Sequence, residues 1–120
     1  MSIRYHIGNL FKHFGYRFSA DYRWPTTEGN LVAISVETLL QKIGEQTIHL
    51  LQIDTEGMDL EILKLFFKAD VVPPVINFES LHLSRQDRME SRRLLKDFGY
   101  YWIETEQDTF AILESLVKGC

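Results

Sequence analysis

Several things that often announce a protein's chemistry are scarce or missing in this chain. It has one cysteine in 120 residues, Cys120 at the last position, so no internal disulfide can form. A reducing compartment is expected, by default the cytoplasm. No apolar run approaches the roughly 18 residues that cross a bilayer, and the start, Met1-Ser-Ile-Arg-Tyr-His-Ile, lacks a signal-peptide core, so the chain reads as soluble. Charge of one sign is only slightly in excess: the net charge is -4. That is too small to argue for or against partners; no nucleic acid and no membrane span are expected. No spacing resembles a zinc site, no other metal is expected, and no serine or cysteine has a visible activating partner. The glycines at 8, 15, 29, 44, 57, 99 and 119 nowhere form Gly-x-Gly. This excludes the glycine-rich strand-turn-helix that lets backbone close on a nucleoside.

What is present is one modest core's worth of chain, 45% hydrophobic. Residues 1–30 form a basic, aromatic lead. Over residues 1–24, Arg4, Lys12, Arg17 and Arg23 stand against Asp21 alone, and Tyr5, Phe11, Phe14, Tyr16, Phe18 and Trp24 are interleaved among the charges. Ile3, Ile7, Leu10, Phe11 and Phe14 fall at helical spacing, which predicts a helix laying one face on the body. His6 and His13 belong to this lead.

A loop over 24–30 then leads into alternating elements in residues 31–120. They are a β-prone run over 31–36, a short helix over 37–43 stopped by Gly44, and an almost continuously apolar strand over 48–53. Such a strand is expected to be covered on both faces, with His49 as a core residue. A helix over 58–68 follows, with Asp59 and Glu61 opposing its dipole in the first turn. Pro73-Pro74 returns the chain to a second buried strand over 75–79. Ser84-Arg-Gln-Asp87 is a capping box opening a polar helix to about 98, and Gly99 stops it. Two strands over 100–104 and 109–113, four residues apart, must form an antiparallel hairpin.

The chemistry-bearing residues gather at strand ends. Asp54 and Glu56 follow the 48–53 strand and Glu79 ends the next, so the three acids share one edge of the sheet if those strands are parallel neighbours. There they could accept a proton from a hydroxyl or hold a hard cation that acidifies it. Alternatively they cap the following helix and stay solvated. Gly57 eases the passage from strand to helix. His82, three residues after Glu79, lies near the same edge.

Leu50-Leu-Gln-Ile-Asp54-Thr-Glu56-Gly57 resembles the signature of the FkbM-type methyltransferases, usually Leu-Leu-Lys-Ile-Asp-Val-Glu-Gly. Ile34-Ser-Val-Glu37-Thr-Leu-Leu40, Glu61-Ile-Leu63, Val75-Ile-Asn-Phe-Glu79 and Phe98-Gly99-Tyr100 resemble further elements of the family. Gln52 stands where lysine is usual, Glu37 where aspartate is, and Asp59 near a common glutamate. The resemblance covers roughly the last ninety residues. It implies an α/β fold, a partial Rossmann-like sheet of parallel strands finished by an antiparallel hairpin, and S-adenosylmethionine-dependent O-methyl transfer to a small-molecule hydroxyl. Asp54, Glu56 and Glu79 would be catalytic, and Gly57 and His82 would bind substrate. The donor-binding half of that fold has no counterpart here, so the isolated chain is expected to be a truncated, inactive methyltransferase. A homodimer or a partner chain would supply the missing half. The alternative is a non-catalytic α/β scaffold that associates through an exposed sheet edge.

Overall fold

A computed structural model describes residues 22–26, 29–44 and 47–119. The helix expected over residues 3–14 lies outside the described residues. The first described elements are two antiparallel strands, β1 (Tyr22–Thr26) and β2 (Gly29–Ala33), with Pro25 opposite Asn30. This corrects the loop expected over 24–30. Proline reads as punctuation in a sequence, but a two-stranded ribbon has free edges where its missing N–H costs nothing. The β-prone run likewise ends at Ala33, and Val36 already belongs to the next helix.

Helix α1 (Val36–Ile43) begins where the Ser35 side chain accepts a hydrogen bond from the Thr38 N–H and ends at Gly44, whose φ of 79° suits glycine. Then come β3 (Leu50–Ile53), α2 (Asp59–Lys68), β4 (Val75–Glu79) and α3 (Arg85–Asp97). Ser84 caps α3 by accepting from the Asp87 N–H at 3.0 Å, and Gly99 takes a φ of +82° just past its end. The chain closes with β5 (Tyr100–Glu104), β6 (Asp108–Leu113) and the short α4 (Glu114–Lys118), which the sequence reading did not include.

β3 to β6 make one sheet in the order β3-β4-β6-β5. β3 and β4 are parallel, with Ile53 beside Phe78, whereas β6 runs antiparallel to both β4 and β5. The expected mixed α/β sheet, a parallel pair followed by an antiparallel hairpin, is therefore present. Cross-strand partners share a face, so the register sorts the side chains. Leu51, Ile53, Ile76, Phe78, Ala111 and Tyr100 point to one face and join Leu60, Leu63, Phe66 and Phe67 of α2 and Leu95 of α3 in the core. Phe67 stacks on Phe98 with ring centroids 4.1 Å apart.

The other face carries Leu50, Tyr101, Ile103 and Phe110, all exposed. β3 thus alternates exposed and buried, which corrects the expectation of a strand covered on both faces. Its apolar run is long enough for two faces, but α2 and α3 pack on the same one. His49 precedes β3 and is exposed, so it is not a core residue. No described helix is long and apolar enough to cross a membrane.

Candidate functional site

The parallel pairing of β3 and β4 brings their carboxyl ends side by side. Ile53 and Phe78 are the last paired residues, so Asp54 and Glu79 leave the sheet together toward its open face. Glu79 is buried except for about a fifth of its side chain. Burial pushes its carboxyl up from the ordinary value; the imidazole of His82 opposes this, while the hydrogen-bonded carboxyl of Asp54 and the charge of Asp59 add to it. His82 Nε2 stands 3.5 Å from Glu79 Oε1, with half of its side chain in solvent.

The loop that carries His82 is well anchored. The Ser80 and Leu81 N–H groups donate to the Gln107 carbonyl at 2.8 and 3.0 Å, Arg88 donates to the Ser80 carbonyl at 2.8 Å, and the buried Thr109 hydroxyl meets that of Ser80 at 3.0 Å. Asp108 stands opposite Glu79 on β6 and adds a third acid along the same edge.

Between β3 and α2 the chain turns through two left-handed residues, Glu56 with φ 52° and Gly57 with φ 109°. Only glycine takes the second value freely. A Cβ at Gly57 would lie 3.7 Å from the His82 carbonyl oxygen, an ordinary contact, so it is the backbone angle that calls for glycine. The same turn exposes Glu56.

Asp59, at the first position of α2, is fully buried. Its Oδ1 accepts from the Thr55 N–H at 3.1 Å and the Thr55 hydroxyl at 2.6 Å, and its Oδ2 accepts from the Glu79 N–H at 2.9 Å. Of the five residues singled out from the sequence, the structure groups Asp54, Glu79, His82 and Gly57, and leaves Glu56 on the outside of the turn. Asp59 and Asp108 were not among them. The signal for Asp59 was available: it shares the helical stripe of Ile62, Leu63 and Phe66, which is the buried face. Among the described residues, no three His, Cys, Asp or Glu side chains are disposed to hold a metal ion.

Residues 6–111 match the family model of the Methyltransferase FkbM domain. The chain belongs to the FkbM methyltransferase family. The match takes in most of the basic, aromatic lead as well as the sheet. A search of curated proteins finds no match, nor does a search of solved structures.

The donor that FkbM membership implies, S-adenosylmethionine, needs open backbone N–H groups at a strand-to-helix turn. In the β3–α2 turn the Thr55 N–H is taken by Asp59, and the side of Gly57 without a Cβ faces His82. A shallow groove of about 370 Å³, lined by Phe98, Gly99, Leu113, Glu114, Ser115 and Lys118, lies at the opposite end of β6 from Asp108. With its Thr55 N–H already bonded and Gly57 its single glycine, the β3–α2 turn does not fit the donor.

Proposed function

We propose that the Asp54–Glu79 pair is the proton acceptor of an O-methyltransferase acting on a small hydroxyl compound. The donor is held by polypeptide outside residues 33–119, either an earlier stretch of the family domain or a partner chain. The observation that carries this reading is the meeting of two carboxyl groups at the carboxyl ends of adjacent parallel strands, where α/β folds collect their ligands. Sharing one site with Asp54 and shielded from water, Glu79 holds a proton more readily than a solvated glutamate, and a general base works best when its pKa approaches the working pH. A substrate hydroxyl on the open side would donate to Glu79 and lose its proton there. His82, within 3.5 Å, lies close enough to pass it to solvent.

Two measurements test the proposal. Calorimetry on the chain alone should give no saturable S-adenosylmethionine binding in the low micromolar range. Each unmet polar group costs about 1–3 kcal/mol, and about 1.4 kcal/mol is tenfold in affinity, so two or three such groups move a micromolar ligand to the millimolar range. Tight binding would mean that this chain carries a donor site of its own. The second measurement is transfer of labelled methyl to hydroxyl acceptors by the chain co-expressed with the coding sequence immediately upstream. Glu79→Gln should lower it about 100-fold or more, the usual contribution of a general base. Transfer indifferent to Glu79 would sink the role given to that residue.

The scaffold reading draws on the end position of β3 in the sheet, with Leu50 and Gln52 exposed. It would be favoured by concentration-dependent sedimentation of the chain as a dimer together with an absence of methyl transfer.

A further inference from the structure

We propose that Asp59 is a positioning residue: its carboxylate ties the end of β3 to the end of β4 and so sets the contact between Asp54 and Glu79. This inference rests on the reading of that pair as the proton acceptor. Asp59 is fully buried, and its hydrogen-bond partners are all neutral donors: the Thr55 N–H, the Thr55 hydroxyl and the Glu79 N–H. A buried carboxylate held in this way must keep its donors, because losing one leaves charge unsolvated.

The choice of partners is what gives Asp59 more than a packing role. Thr55 directly follows Asp54, so bonding its N–H fixes the peptide from which the Asp54 side chain departs. Glu79 is itself the second acid, and bonding its N–H fixes the direction of its own side chain. The pairing of β3 with β4 stops at Ile53 and Phe78, one residue short of both acids, and Glu79 is paired beyond it only to Asp108 of β6. Beyond that point Asp59 links the two strand ends, and its bond to the Glu79 N–H spans 20 residues of sequence. Four titratable groups face or adjoin Glu79: Asp54 from the end of β3, Asp59 from α2, His82 from the loop after β4, and Asp108 across from it on β6.

The test is a carboxyl-carbon NMR titration of the full chain in four forms: wild type, Asp54→Asn, Asp59→Asn and the double variant. When two carboxyls touch, replacing one displaces the midpoint of the other. Asp54→Asn should move the Glu79 midpoint down in the wild-type background and leave it unmoved in the Asp59→Asn background. Glu104, on the other side of the sheet, should titrate alike in all four forms and so report an intact fold. An undiminished displacement in the Asp59→Asn background overturns the proposal.

Should Asp59→Asn not fold, Thr55→Ala removes the 2.6 Å bond and leaves the charge of Asp59 in place. A displacement at least about halved then supports the proposal, and an unchanged one overturns it. None of these readouts needs turnover. Loss of coupling without methyl transfer, or methyl transfer with the coupling indifferent to Asp59, therefore separates a failure of the functional reading from a failure of this one.

Discussion

Glu79 shows how burying one ionisable residue can weaken the fold near neutral pH. Its carboxyl is held above the ordinary value of 4.5, chiefly by burial. The folded chain therefore binds more protons at this position than the unfolded chain does. The contribution favours the fold below the unfolded-chain value and is lost as pH rises through the folded one. Glu79→Gln, an amide that can donate to Asp54, should accordingly raise the Tm near pH 7, with the gain shrinking as pH falls toward about 4. Thermal unfolding followed across that range checks it, and a gain that grows at low pH would contradict the assignment. Glu56 invites a different test. As a non-glycine residue at φ 52° it occupies backbone space that asparagine tolerates better and β-branched residues tolerate badly. Glu56→Asn should stabilise the chain by about 0.5–1 kcal/mol, and Glu56→Val should destabilise it by at least as much, in urea titrations. If Glu56→Asn is destabilising, Glu56 makes contacts in the folded chain that its exposure conceals.

Among the elements, a few strong polar contacts add to the β4–β6 ladder and the apolar core in holding α3 and the hairpin. Arg92 grips Glu104 of β5 through two bonds of 2.7 and 2.6 Å and holds that carboxyl below its usual range, though partial exposure limits what the pair adds. The buried hydroxyl of Tyr100 donates to the Pro73 carbonyl at 2.6 Å and so ties the start of β5 to the turn before β4. Tyr100→Phe leaves that carbonyl without its donor and should cost about 1–2 kcal/mol by chemical denaturation. A cost near zero would mean that water reaches the carbonyl. Element ends were the most legible part of the sequence. Ser84 as a cap, and Gly44 and Gly99 as stops, act within a few residues of themselves, so no distant contact overrides them. The short connection between β5 and β6 is equally local. The stretch over 24–30, expected as a loop, was less legible: whether a strand can include Pro25 depends on whether its nitrogen side has a neighbour, and that is set elsewhere in the fold.

At the scale of the whole molecule, the sequence revealed the parallel pair and therefore the meeting of Asp54 with Glu79, because strand, helix and strand in succession leave few other arrangements. It could not reveal which face of β3 is covered. Leu50 and Leu51 are chemically alike, yet one is exposed and the other is core, a difference decided by where α2 and α3 pack. The strand order has a further consequence. Among the described strands, β4 is held on both sides and β3 on one. Detaching β3 would part Asp54 from Glu79 while β4, β5 and β6 stayed paired, so the two acids can separate through a local opening far smaller than global unfolding. Native-state amide exchange should then give β3 and Thr55 a lower opening free energy than Ile76 or Ala111. Equal values would mean that the sheet opens as a unit. The readiness of this chain for proton transfer would therefore follow the fraction of time its outermost strand is docked, a property that solvent, temperature or a binding partner can adjust without altering a single residue of the site.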